Sequence, residues 1–214
     1  YLMFFMNRSK RIHNVLVKQL IFLNTDYNEY ISNDLLPESD IGIKSTYSFW
    51  IYFSNVPENA HWITDYNEHK PVLFRYGTPD VVYIPKEHQL KLSFTYKNPS
   101  NLKTKYDFIL KDLEVQKWMN IIMVMNNRNI DIYLDGELHS STVLNSVPLL
   151  TKKFLYIGQK NNNFNGYLNY IEYINDALTI DEAKDLYNKR VNSLPKKVIP
   201  YTEDFYKKHK NDKK

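Results

Sequence analysis

The stretch WMNIIMVMNNRNIDIYLDGELHSS, Trp118–Ser141, decides the fold. Met119–Met125 is a run of branched and thioether side chains of strand length, and Asn126–Asn129 (NNRN) is built from residues that tolerate a left-handed backbone. From Ile130 to Leu134 apolar and polar residues alternate, with Ile130, Ile132 and Leu134 on one face. Asp135-Gly136 then supplies the positive φ that both central positions of a primed two-residue hairpin turn require, and Glu137–Ser141 returns. Three strands joined by two tight turns form an antiparallel meander.

The same punctuation runs outward from it. Upstream, Tyr47–Phe53 (YSFWIYF) predicts a central strand, apolar on both faces, with Trp50 in the core; Pro71–Tyr76 and Leu90–Tyr96 predict two more, the latter with Leu90, Leu92 and Phe94 on one face. Leu16–Leu23 reads as a strand or the lead into one, and Trp118 as a core residue at a strand start. Downstream, Phe154–Gly158 and Gly166–Ile174 are strands joined by the Asn-rich loop 159–165. The period then changes: Thr179-Ile-Asp-Glu182 is a capping box followed by Ala183, Leu186 and Tyr187 at helical spacing, so one short helix ends near Lys189. Trp50, Phe94, Ile132 and Leu134 are expected to be buried together between two sheets. The fold class is all-β, a two-sheet antiparallel β-sandwich with one short C-terminal helix.

Charge divides the chain into three parts. The 214 residues carry a net +4, but residues 1–20 hold four basic residues and no acid, and residues 196–214 hold seven Lys against three acids. The middle is therefore about −4, and nucleic-acid binding by the folded part is not expected. The organisation read from this is an apolar and basic arm over 1–15, a sandwich over 16–190 and a basic extended tail over 191–214. The arm opens with YLMFFM followed by NRSKR, which reads either as the end of a membrane span with its positive flank or as a short buried strand or hydrophobic arm. Asn7-Arg8-Ser9 is also a glycosylation sequon. With no cysteine, the chain has no disulfide, thiolate zinc site or cysteine nucleophile.

In their order and spacing, YSFWIYF, PVLFRYG, LKLSFTY, YLDGEL and FLYIG, then FNGY followed by ALTIDEAKDLY, resemble laminin-G-like domains of the concanavalin A-like lectin/glucanase superfamily over Tyr47–Tyr187. The resemblance implies a concanavalin A-like jelly roll. The apolar, basic-flanked start is similar to laminin-G-like proteins of large double-stranded DNA viruses, which implies a non-enzymatic structural module. That module would be a minor capsid or membrane-proximal protein of a virion, in contact with other structural proteins of the particle and with a membrane through its N-terminus. A glycan-binding lectin-like module is the alternative, and a glucanase the third reading.

The candidate residues follow from these readings. Glucanases of this fold place carboxylates at alternate positions of one strand; here Tyr133 occupies the middle position between Asp131 and Asp135, which lie about 13 Å apart at strand rise, beyond the roughly 5–10 Å that paired glycosidase carboxylates need. Asp112 and Glu114 lack a third partner. The six histidines show no zinc-binding spacing. No cofactor is expected apart from calcium, which the resemblance admits through Asp65, Asn67 and Glu68, or through Asn161–Asn163 with Asp176. Ligand or partner contacts are expected at Trp62, Tyr66, Asn161 and Asn163. Membrane or partner contacts are expected at Phe4, Phe5, Arg8, Lys10 and Arg11 and at Lys207 and Lys208.

Overall fold

The computed structural model describes residues 10–23, 27–54 and 69–195. Its strands are β1 (His13–Val17), β2 (Ile21–Leu23), β3 (Glu29–Ile31), β4 (Lys44–Phe53), β5 (Lys70–Phe74), β6 (Asp80–Ile84), β7 (Gln89–Lys97), β8 (Lys103–Leu110), β9 (Trp118–Asn126), β10 (Asn129–Leu134), β11 (Glu137–Val143), β12 (Leu155–Ile157) and β13 (Gly166–Ile174), followed by the helix α1 (Ile180–Val191). They form two antiparallel sheets. Sheet A has seven strands in the order β1-β13-β4-β9-β10-β11, with β2 also on β13; sheet B has six in the order β3-β12-β5-β6-β7-β8.

The meander forms as its residues dictate. Asn127 at φ +56 turns β9 into β10, and Asp135 and Gly136, at φ +50 and +80, turn β10 into β11 with Leu134 opposite Glu137. A side chain at Gly136 would have to adopt this left-handed conformation and would also meet Tyr187 of α1, whose Cβ lies 3.0 Å from the place a Cβ would take. The expected strand Leu16–Leu23 is two strands, β1 and β2, which pair with successive parts of β13.

Strand β4 is apolar on both faces because both faces are covered. Tyr47, Phe49, Ile51 and Phe53 point between the sheets, where they join Leu92, Phe94, Ile121, Met123, Ile132, Leu155, Ile157 and Leu168 in the main core. The alternation puts Trp50 on the opposite face. Trp50 is buried, but not with Phe94 and Ile132 between the sheets as its apolar strand suggested: it lies under α1, stacked on Tyr187 with ring centroids 5.3 Å apart, alongside Tyr170 and Leu194. Leu134 packs against the main core from its edge. Trp118 is half-buried beside Tyr52, and its indole N–H donates to the Pro195 carbonyl.

Helix α1 starts at the expected capping box. The Thr179 hydroxyl accepts from the Glu182 amide and the Glu182 carboxylate accepts from the Thr179 amide. Ala183 and Leu186 bury against Ile122, Val124, Tyr133 and Ile174 of sheet A, and Tyr187 and Val191 against the Trp50 cluster. A buried ionic clamp fixes the far end: Glu172 of β13, 1% exposed, accepts from Arg190 Nε at 2.7 Å and lies 2.6 Å from His13 Nε2. Arg190 also covers the Tyr170 ring at 4.6 Å. Hydrogen bonds from His13 and Arg190 hold the Glu172 carboxyl below its usual range against the opposing effect of burial, which is the largest single influence. Among the described residues no helix is long and apolar enough to cross a membrane.

Candidate functional site

Helix α1 packs on the outer face of sheet A, and among the described residues no α-helix packs on the outer face of sheet B. Register assembles on it a single row that crosses all six strands. Tyr30 of β3 lies opposite Tyr156 of β12, Tyr156 opposite Phe74 of β5, Phe74 opposite Asp80 of β6, Asp80 opposite Ser93 of β7, and Ser93 opposite Asp107 of β8. Five inter-strand spacings give it a length of about 24 Å. One half is aromatic and the other is polar.

The aromatic half is widened by Phe154, just before β12, and Tyr76, just after β5. The Tyr156 ring stacks on Phe74 at 4.9 Å and 12°, and meets Tyr76 at 5.7 Å and both Tyr30 and Phe154 at 6.4 Å; Phe154 meets Tyr30 at 4.9 Å. These rings are accessible: Tyr30 is 64% exposed, Tyr76 55% and Phe154 42%. The Lys153 ammonium sits 4.1 Å over the Tyr76 ring and places a cation at the rim. A hydrogen bond with Tyr76, and then burial, push the Tyr156 phenol above its ordinary value. Fused, solvent-facing aromatic surface of this kind offers a contact area to another molecule.

In the polar half, Asp80 Oδ1 accepts from the Gly77 amide at 2.8 Å and the Arg75 amide at 3.1 Å, which leaves Oδ2 facing Lys105 Nζ at 3.3 Å. Ser93 is buried between its neighbours and donates to Asp107, which is exposed, at 2.6 Å. Donors and acceptors of both charges thus continue the row where the rings stop.

Residues 24–184 match the family model of the laminin G-like domain in the concanavalin A-like lectin/glucanases superfamily. The chain belongs to that superfamily. No curated protein matches it in sequence. Among solved structures, it is similar to the binding domain of Paraclostridial Mosquitocidal Protein 1 (16% identity, TM-score 0.59, 87% of this chain and 49% of that one). It is similar as well to the botulinum neurotoxin serotype G binding domain (14%, 0.57, 86% and 48%) and to the receptor binding domain of botulinum neurotoxin D (12%, 0.58, 84% and 48%). At these identities the likeness shows the fold, and this chain spans about half the length of each of those chains. The fold is that of the concanavalin A-like lectin/glucanases superfamily.

Other members of the superfamily raise the questions of catalysis and calcium, and the residues put forward for each have local work here. Asp131 accepts from the Ser141 hydroxyl. Asp135 accepts from the Asn120 amide at 2.7 Å in the hairpin turn, and burial there pushes its carboxyl up. Asn161–Asn163 and Asp176 cannot share a calcium ion, because they flank opposite ends of the nine-residue β13, a separation of about 26 Å. Asp176 instead faces Arg11 at 3.6 Å and Lys44 at 3.9 Å. Among the described residues no group of three or more His, Asp or Glu is placed to hold a metal.

The remaining sequence candidates separate in space. Asn163 is buried; its amide donates to the Tyr27 carbonyl at 2.7 Å and its carbonyl accepts from the Gln159 amide at 2.8 Å, which braces the loop against the start of β3. Asn161 is exposed at a left-handed position, φ +62, in that loop. Lys10 and Arg11 are both exposed, but Arg11 is tied to the domain surface: it pairs with Glu182 of α1, with Nη2 3.1 Å from Oε2, and draws that carboxyl down to about 2. Phe4, Phe5, Arg8, Trp62, Tyr66, Asp65, Asn67, Glu68, Lys207 and Lys208 lie outside the described residues.

None of the aromatic row was singled out by sequence. Phe154-Leu155-Tyr156-Ile157 is apolar at every position, so alternation could not say which pair faces solvent. Tyr30 sits in a three-residue strand too short to show a period. The usable signal was Phe74-Arg75-Tyr76, two rings on either side of a charge at the end of a strand.

Proposed function

We propose that this chain is a non-catalytic, glycan-binding module whose contact face is the row on sheet B. The carrying observation is the fused cluster of Tyr30, Phe74, Tyr76, Phe154 and Tyr156, continued in register by Asp80, Ser93 and Asp107. A pyranose ring has an apolar face of C–H bonds and a rim of hydroxyls. The rings offer a surface for the face, and the polar half offers donors and acceptors for the rim. The length of the row suits an extended oligosaccharide laid across the strands. The similar solved structures are binding domains of toxins, which supports a receptor-type role.

The test is a glycan array of neutral oligosaccharides run with the parent chain, Tyr156→Ala and Tyr106→Ala. Tyr106 lies on β8 but on the opposite face of the sheet from the row, paired with Phe94 and 5.0 Å from Phe108, and serves as the control. Truncating a central anchoring ring costs about 2 kcal/mol or more of binding, roughly a 30-fold loss. Binding that survives Tyr156→Ala unchanged sinks the assignment of the face.

A place in a virion or at a membrane draws its support from the basic ends of the sequence and from the viral resemblance. The similar solved structures are toxin binding domains and add nothing to it. Co-sedimentation of the chain with anionic vesicles, compared before and after removal of residues 1–9, tests that reading.

A further inference from the structure

One buried side chain touches every segment that carries the rings. Arg75 lies between Phe74 and Tyr76 in sequence and is 4% exposed. Its Nη2 donates to Asn33 Oδ1, in the 3-10 turn Asn33–Leu35 that follows β3 and Tyr30. Its Nε donates to the Lys153 carbonyl at 3.2 Å, immediately before Phe154. Its Nη1 donates at 2.6 Å to the hydroxyl of Tyr47, a core residue of sheet A that packs on Tyr173. Its backbone amide donates to Asp80, the first polar member of the row.

Among the described residues no carboxylate pairs with this guanidinium; its acceptors are a phenol, an amide and a backbone carbonyl. Burying a cation without an anion opposes stability. What the side chain does provide is geometry. A guanidinium is a rigid planar fork that donates along several fixed directions, which a lysine ammonium on a flexible stem cannot reproduce. The three directions taken here lead to the turn behind Tyr30, the residue before Phe154 and the floor of the domain.

We infer that Arg75 is the positioning residue of the aromatic face, setting the Tyr30, Phe154–Tyr156 and Phe74–Tyr76 segments at the spacing a ligand reads. The inference rests on the glycan-binding reading, and it makes Arg75 a determinant of that binding without contact to the ligand.

Two measurements test it. The first needs no ligand: nitration by tetranitromethane, followed residue by residue by mass spectrometry. In Arg75→Lys the nitration rates of Tyr30 and Tyr156 change at least threefold while that of Tyr106 does not; unchanged rates at all three overturn the inference. The second is titration with cellotetraose, chitotetraose and lacto-N-tetraose. Asn33→Ala, which cuts only the arm to Tyr30, lowers the affinity of whichever tetrasaccharide the parent binds by at least threefold, and by less than 1.5-fold when Tyr30→Ala is already present. An equal loss in both backgrounds, or none in the parent, overturns it. If the parent binds none of the three sugars, that counts against the glycan reading, and the nitration result alone decides the role of Arg75.

Discussion

Gly136 joins two features of the molecule, the hairpin turn and the underside of α1, and replacing it separates their contributions. At φ +80 an L-residue pays about 1–2 kcal/mol for the left-handed backbone. The added Cβ would also lie 3.0 Å from Cβ and Cγ of Tyr187 and 3.1 Å from Cδ1, closer than carbon atoms settle, so α1 must shift by a few tenths of an ångström or Tyr187 must tilt off Trp50. That shift costs on the order of 1 kcal/mol of packing. Gly136→Ala therefore loses about 2–3 kcal/mol, roughly 4–12 °C in melting temperature for a domain of this size. Gly136→Val, with its branched Cβ, loses more. Gly136→Asn pays mainly for the contact, since Asn tolerates the left-handed region, and loses about half as much as Ala. Differential scanning calorimetry of the four proteins should rank them Gly, Asn, Ala, Val. Equal losses for Asn and Ala would refute the backbone share, and an Ala variant melting within 2 °C of the parent would refute both.

Trp50→Ala removes the floor under α1 and should cost about 3–5 kcal/mol; the native indole, 2% exposed, should resist iodide quenching. Glu172→Ala strands Arg190 without its anion, and urea titration should show a loss of about 3–5 kcal/mol. Arg11 holds Glu182 at about 2 in the folded state, below its ordinary 4.5. That pair therefore stabilises the protein above about pH 4.5, and its contribution disappears as pH falls from there toward 2. Urea midpoints measured between pH 5 and pH 2 should fall less steeply in Arg11→Ala than in the parent.

The parts of this fold that could be read from sequence are those in which local chemistry and tertiary environment agree. Asp135-Gly136, the Thr179–Glu182 capping box and the alternation of Ile130, Ile132 and Leu134 each state their own geometry within a few residues. Half of sheet B did not. β3 has three residues, β6 (DVVYI) follows a tight turn at Gly77–Asp80, and β8 (KTKYDFIL) carries charge on its exposed face, so none reads as a strand without its neighbours. Trp50 reads as buried, as it is, but lies on the other face from the one expected, because a strand with large apolar side chains on both faces gives no sign of which side meets a sheet and which a helix.

The aromatic row on sheet B is not legible for a related reason. Its row is made by register between strands far apart in the chain, Tyr30 with Tyr156 and Phe74 with Asp80, and sequence spacing carries no trace of such pairing. Sequence points instead to Trp62 and to the Asn-rich loop, where polar surroundings suggest exposure. Asn163 shows how that signal misleads: its amide is spent on bracing the loop, as buried polar groups are. Exposed aromatic side chains in strands look like core from sequence, since a ring that packs and a ring that waits for a ligand are the same residue.

The central claim is that the rings of sheet B hold a sugar. Isothermal titration of the parent, Tyr156→Ala and Tyr106→Ala with the neutral oligosaccharide that binds best on the array tests it most directly. The account predicts saturable binding to the parent, a loss of about 30-fold or more in Tyr156→Ala with the melting of the β9–β11 meander retained, and no change in Tyr106→Ala. Equal affinity for the parent and Tyr156→Ala, or a parent chain that binds no oligosaccharide on the array, would contradict it.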